Sequence, residues 1–361
     1  MTQRFTVDGS AELEQRLEKW CAEFTEDVSR VIPANILEAI VLGGGYGRGE
    51  GGVLRTPQSE NAYNDLEFYV FVRGPLLFRE RQFKSALHDV THRWSEKAGI
   101  EFEAKLLTLE KIQRAPVSMF YYDLVIGHRW LHGADGEFKN CDHHRAAHRI
   151  PLEEATRLLM NRSSGLLFAQ VETDPDFIRR NISKAQLAMG DVVLTAFGRY
   201  HSSCRERHRR LEKLESLPFP NLLRHHASGV EFKLHPYAST ESLDKLKTEL
   251  TEIRDLAGQI FLWLEQRRLE TSFASHRDYA LSPVHKHPDD RVLRNTLINL
   301  RAFRRIATRY PRERLLESLA LLLWTPDPLA HLAKLQRDLV TREKTFPGLV
   351  AAYRKIWNRF N

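Results

Sequence analysis

Residues 42–72 read LGGGYGRGEGGVLRTPQSENAYNDLEFYVFV. A short apolar run, NILEAIVL (35–42), feeds a glycine-rich turn that carries one arginine, Arg48. After a polar stretch, VLRTPQSENAY (53–63), comes an apolar strand with two carboxylates, Asp65 and Glu67, one residue apart. Strand side chains alternate between faces, so both carboxylates project the same way. Two like charges on one pleat repel unless something positive sits between them. One or two hard divalent ions that also hold a nucleoside triphosphate are the usual such object. The glycines let backbone N–H groups approach phosphate oxygens.

On these residues the stretch resembles the polymerase-β-type nucleotidyltransferase superfamily, in its aminoglycoside-nucleotidyltransferase-like or minimal form. Gly44, Gly45, Tyr46, Gly47, Arg48 and Gly49 fall on a Gly-Ser-x-x-Arg-Gly pattern, with Gly45 in the serine place. Asn64, Asp65, Leu66 and Glu67 fall on the acidic strand. The resemblance implies a third carboxylate on a later strand, and IEFEAKLLTLEKI (100–112) supplies Glu101 and Glu103 on one face. The Thr-Leu-Glu-Lys-Ile tail favours Glu103, with Glu101 as the rival. The resemblance covers roughly residues 35–135.

The fold implied by this resemblance is an α/β nucleotidyltransferase domain, a small mixed sheet with helices. Asp65, Glu67 and Glu103 would hold two Mg²⁺ ions, with Mn²⁺ as a substitute. Gly44 and Gly45 would hold the β- and γ-phosphates, with Arg48 helping. The implied reaction moves a nucleoside monophosphate from a nucleoside triphosphate to an unidentified hydroxyl or phosphate acceptor and expels pyrophosphate. The chain departs from the pattern at three points: the serine is glycine, the second acid is glutamate, and residues 53–63 read as an inserted loop. These departures motivate an alternative, a catalytically inactive nucleotide-binding or regulatory module on the same fold.

The chain of 361 residues has room for two domains. Hydrophobic content of 42% and charged content of 28% are those of a globular protein. The opening MTQRFTVDGSAELEQ has no signal-peptide character, and the longest apolar stretch, LESLALLLWTP, is too short to span a bilayer. Cys21, Cys141 and Cys204 are widely spaced, which suits a reducing compartment and a cytoplasmic protein. The net charge is +7, with basic clusters at RERHRR (205–210), RAFRRIATRYPRER (301–314) and YRKIWNR (353–359). An RNA-binding or RNA-modifying protein is a further alternative, but no RNA motif accompanies these clusters.

Helical spacing runs over 10–31 and 76–98, and strands are expected at 35–42, 64–73, 100–107 and 128–133. After Pro151 helical periods dominate: 152–171, 175–211, 240–273, 288–309, 312–324, 327–341 and 346–359. The expected organisation is therefore a nucleotidyltransferase-like domain over 1–150 and an all-α helical bundle over 151–361, divided within HGADGEFKNCDHHRAAHRIP (132–151). In the 175–211 helix, Lys184 and Asp191 lie two turns apart on one face. Lys184 is the candidate triphosphate contact from the second domain. Arg162 interrupts another apolar helix, and Asp123 follows the third strand as a candidate substrate contact. Cys141, His143, His144 and His148 make only a loose set, which a polar linker needs no zinc to explain.

Overall fold

The computed structural model describes residues 4–133, 138–217, 219–287 and 291–360. The first three residues of the expected 288–309 helix, part of the 132–151 stretch and Pro218 lie outside the described residues. By compactness the chain divides into two units. One comprises Met1–Pro151, Phe197–Glu215 and Val230–Tyr237; the other comprises Leu152–Ala196, Ser216–Gly229 and Ala238–Asn361.

The chain begins with α1 (Ala11–Val31), β1 (Leu37–Leu42), the single turn α2 (Gly44–Gly47), β2 (Val53–Arg55), β3 (Glu60–Ala62) and β4 (Leu66–Val72). It continues with α3 (Leu76–Ala98), β5 (Phe102–Leu107), α4 (Leu109–Arg114), α5 (Met119–Ile126) and β6 (Arg129–His132). The helices after β6 are α6 (Leu152–Val171), α7 (Pro175–Ala196), α8 (Cys204–Glu212), α9 (Leu222–Leu234) and α10 (Leu243–Leu269). The last are α11 (His276–Leu281), α12 (Val292–Phe303), α13 (Arg312–Trp324), α14 (Leu332–Asp338) and α15 (Phe346–Trp357).

The main sheet is small and mixed, in the order β5-β4-β1-β6. β4 and β5 run parallel, and β1 is antiparallel to both β4 and β6. Alternation along β4 sorts its side chains. Leu66, Phe68, Val70 and Val72 enter one core with Leu13, Leu17, Phe24 and Val28 of α1 and Phe83, Leu87 and Trp94 of α3. Tyr69 and Phe71 enter the opposite core with Ala39, Val41, Leu107, Ile112 and Leu124. α1 starts where the Ser10 side chain accepts the Leu13 N–H, and it buries a stripe at helical spacing. Phe24 from that stripe stacks on Phe68, with ring centroids 4.0 Å apart. α3 ends at Gly99, whose φ of 70° suits a residue without a side chain.

Several elements differ from the sequence expectation. Residues 53–63 are a hairpin rather than a loop: Val53 pairs with Ala62 and Arg55 with Glu60, closed by Thr56–Ser59 hydrogen bonds. The 175–211 helix stops at Ala196 and restarts at Cys204, because Gly198 takes φ 66° and Ser203 caps α8 by accepting the Glu206 N–H. The 288–309 helix ends at Phe303, where Arg304 turns left-handed at φ 51°. The 327–341 helix is a 3₁₀ turn over Pro328–His331 followed by α14. α9 had no counterpart among the expected helices.

The second unit is helical. α6, α7 and α10 bury Leu159, Leu166, Ile182, Met189, Val192, Leu250 and Ile253. Its interior also holds charge: the fully buried Glu265 accepts hydrogen bonds from Thr156 Oγ1 at 2.6 Å, Tyr279 OH at 2.7 Å and the Arg268 guanidinium. Three donors on one carboxylate are what allow a charge at that depth. Among the described residues no helix is long and apolar enough to cross a membrane.

Candidate functional site

The parity of β4 that sends Leu66 and Phe68 to one core sends Glu67 to the other face. The same holds in β5, where Phe102 is in the first core and Leu107 in the second. The parallel register pairs Glu67 with Glu103, so the two carboxylates leave the sheet from neighbouring strands on one face. Asp65 lies one residue ahead of β4 and Glu101 one residue ahead of β5. The Leu66 N–H donates to the Glu101 carbonyl at 2.9 Å, which locks this end of the pair.

Burial raises the Asp65 carboxyl above the usual aspartate range, and the charges of Glu67, Glu103 and Glu101 raise it further. The side chains nevertheless have protein partners. Tyr69 OH donates to Glu67 Oε2 at 2.8 Å, and Lys105 Nζ is 3.2 Å from Glu103 Oε2. Burial and the Glu67 charge push the Tyr69 phenol up, so it stays a donor. Among the described residues no three His, Cys, Asp or Glu side chains are drawn together as a metal-holding group. The donor set, all carboxylate oxygens, suits a hard cation, and the unneutralised charge around Asp65 is the feature such an ion would relieve.

The glycine turn packs directly on this edge. The Gly43 N–H donates to the Glu67 carbonyl at 2.9 Å. Gly44 has φ 61°, and a Cβ there would overlap the Glu67 carboxylate. α2 opens with Gly44 and Gly45, and Gly43 offers no side chain to cap it. The first N–H groups of a helical turn have no acceptor within the turn. Arg48 at its end is nearly buried, 3.8 Å from Asp123 Oδ2. Asp123 also accepts a hydrogen bond from Tyr200 OH at 3.0 Å, and Arg207 donates to that same phenol oxygen at 3.0 Å. Asp123 thus links the arginine of the turn to the Phe197–Glu215 segment.

Glu50 makes a second link to that segment. It is 5% exposed, and it accepts from Ser203 Oγ at 2.6 Å and from the Cys204 N–H at 2.8 Å, at the start of α8. Burial alone would raise its pKa, but the hydroxyl, the N–H and the nearby Arg207 charge together hold it below the usual glutamate range.

Two basic residues carried no functional signal in the sequence. Arg207 belongs to the RERHRR run, which read only as a charged patch. Lys233, in α9, lies in the first unit, where the Lys233 carbonyl approaches Gly52 beside Asn64. Burial lowers the Lys233 ammonium, as do the positive charges of Arg48 and Arg207, against the opposing pull of Cys204 and Glu50. Among the described residues no ion pair holds it. Lys233, Arg48 and Arg207 lie near enough for their positive charges to act on one another, so an anion here would be welcome.

The remaining candidates lie in the second unit. Lys184 is exposed on α7, whereas Asp191 is buried, with His226 Nε2 3.5 Å from its Oδ1. Burial lowers the Arg162 guanidinium, and the Asp191 charge partly restores it. Arg162 and Asp191 are therefore electrostatic neighbours. In the linker, His144 Nε2 pairs with the Ile112 carbonyl at 2.9 Å and His143 Nε2 with that of Ala115 at 3.1 Å.

No protein-family model matches the chain, and no curated protein matches it in sequence. Among solved structures it is similar to spectinomycin adenyltransferase AAD(9) from Enterococcus faecialis, solved with ATP and spectinomycin. That likeness has 13% identity and a TM-score of 0.37, covering 65% of this chain and 98% of the other.

Proposed function

We propose that the first unit is a nucleotidyltransferase, moving a nucleoside monophosphate from a nucleoside triphosphate to a hydroxyl or phosphate acceptor with release of pyrophosphate. The observation that carries this reading is the placing of Asp65, Glu67 and Glu103 on one sheet face against a glycine turn with basic neighbours. Asp65, Glu67 and Glu103, with Glu101 behind them, are the groups that would hold Mg²⁺ or Mn²⁺. The metal would supply charge neutralisation at the phosphates and acidify the acceptor hydroxyl. The chain's own part is to present the N–H groups of Gly44 and Gly45, with Arg48 and Lys233, to the β- and γ-phosphates. Asp123 orients Arg48. Lys184 is proposed as a further triphosphate contact, tested by Lys184→Ala. The decisive experiment is pyrophosphate release from each of ATP, GTP, CTP and UTP with Mg²⁺ and a panel of hydroxylated acceptors, in wild type and Asp65→Asn. Release by the wild type and none by the variant supports the reading.

A second reading, a nucleotide-binding module without turnover, draws on the Glu103–Lys105 ion pair, which occupies a carboxylate that catalysis would need. It predicts Mg²⁺-independent triphosphate binding, unchanged in Asp65→Asn, and no pyrophosphate with any acceptor.

A further inference from the structure

Two of the basic clusters in the sequence, 301–314 and 353–359, meet in the second unit around one cavity of about 630 Å³. Arg301 and Arg304 come from α12 and its cap, and Lys355 and Arg359 from α15 and the residues after it. Among the described residues Glu343 is the one carboxylate lining it, and Leu339, Val340, Ala351 and Ile356 form an aliphatic wall.

Neighbouring cations in this unit find carboxylates. Arg354, next to Lys355, is 3.0 Å from Glu172, Arg309 is 3.2 Å from Glu313, and Lys334 bridges Glu317 and Asp338. Among the described residues Arg301, Arg304 and Lys355 have no ion pair, and Arg359 reaches only the Ala302 carbonyl at 3.3 Å. Helix C-termini attract cations, but three helix ends amount to roughly −1.5 charges. Four cations against one glutamate exceed that, so the cavity stays net positive.

The backbone marks the same place. Arg304 at φ 51° and Val340 at φ 50° both line the cavity. A left-handed β-branched valine is costly and is kept where surroundings or function demand it.

We propose that this cavity binds a multiply charged phosphate group, carried by a soluble polyphosphate or by a lipid headgroup. An RNA strand fits less well, since among the described residues no aromatic side chain lines the cavity to stack a base. The proposal is independent of nucleotidyl transfer by the first unit.

The test uses the full chain carrying Arg48→Ala and Lys233→Ala, which removes the first unit's own proposed basic phosphate contacts. Sodium tripolyphosphate is titrated calorimetrically in EDTA. Flotation is run with phosphatidylcholine vesicles, with and without phosphatidic acid. Binding of tripolyphosphate that weakens about tenfold or more on adding Arg301→Glu and Lys355→Glu supports a soluble ligand. Flotation only with phosphatidic acid, lost in the same variant, supports a headgroup. Arg301→Gln with Lys355→Gln repeats the comparison if charge reversal disturbs the far-UV circular dichroism. No binding of either probe, or binding that both pairs of substitutions leave unchanged, overturns the proposal.

Discussion

Asp65 is largely buried and stands beside three carboxylates, Glu67, Glu103 and Glu101, and this fixes the sign of its effect on stability. Its folded pKa is raised, so folding favours the protonated form. The penalty is absent below the unfolded value of about 3.9 and grows as pH rises through the folded one. Asp65→Asn should therefore melt no lower than wild type at pH 7 in EDTA. The two melting curves should converge as the pH falls through the aspartate range. A melting temperature several degrees lower at neutral pH would mean that Asp65 is held by a favourable contact. Lys233 carries the complementary prediction. Lys233→Ala should weaken triphosphate binding by about 1–3 kcal/mol, as expected for one charge-assisted contact, read by calorimetry with a non-hydrolysable triphosphate. Gly44 is the third residue to test. Gly44→Ala adds a Cβ into the Glu67 carboxylate at a left-handed φ, so it should both destabilise the chain and abolish triphosphate binding, whereas Gly99→Ala, with open space around it, should show only the backbone strain.

Among the elements, α8 depends most on a single side chain. Glu50 accepts its first N–H groups, and its lowered pKa means that the stabilisation is complete above the unfolded value of about 4.3. It is lost as pH falls through the folded pKa. Glu50→Gln keeps the shape but removes the charge, and should cost on the order of 1.5–3 kcal/mol at pH 7 by denaturant unfolding. An unchanged unfolding curve would mean that Ser203 caps α8 unaided. The elements also show what a sequence can and cannot reveal. β1, β4, β5, α1 and α3 were legible because Pro33, Gly74-Pro75 and Gly99 punctuate clean periodicities. The break after Ala196 was not, because apolar spacing from Ile182 to Leu194 runs straight on to a lone Gly198. Parity alone could put Asp65 with Glu67, and Glu101 with Glu103, on one face of their own strands. That Glu67 stands directly opposite Glu103 needed the strand register, which no local pattern encodes. Lys233 carried no signal at all: its meaning lies in Arg48 and Arg207, which are distant in sequence and adjacent only once folded.

At the scale of the molecule, the first unit is stitched from three stretches of chain, and its boundary is not a single cut. A fragment ending at Pro151 lacks α8 and Lys233, so Glu50 would lose its donors. Such a fragment should be protease-sensitive and bind no triphosphate, whereas a fragment ending after Tyr237 holds every stretch of the first unit. Limited proteolysis of the two would tell them apart. The same discontinuity imposes a schedule on synthesis. A ribosome working at roughly 5–20 residues per second needs about 4–17 s to pass from Pro151 to Tyr237. For those seconds the nascent sheet has its acidic edge and glycine turn but not the segment that ties the turn down, so this interval is when the chain most needs a chaperone.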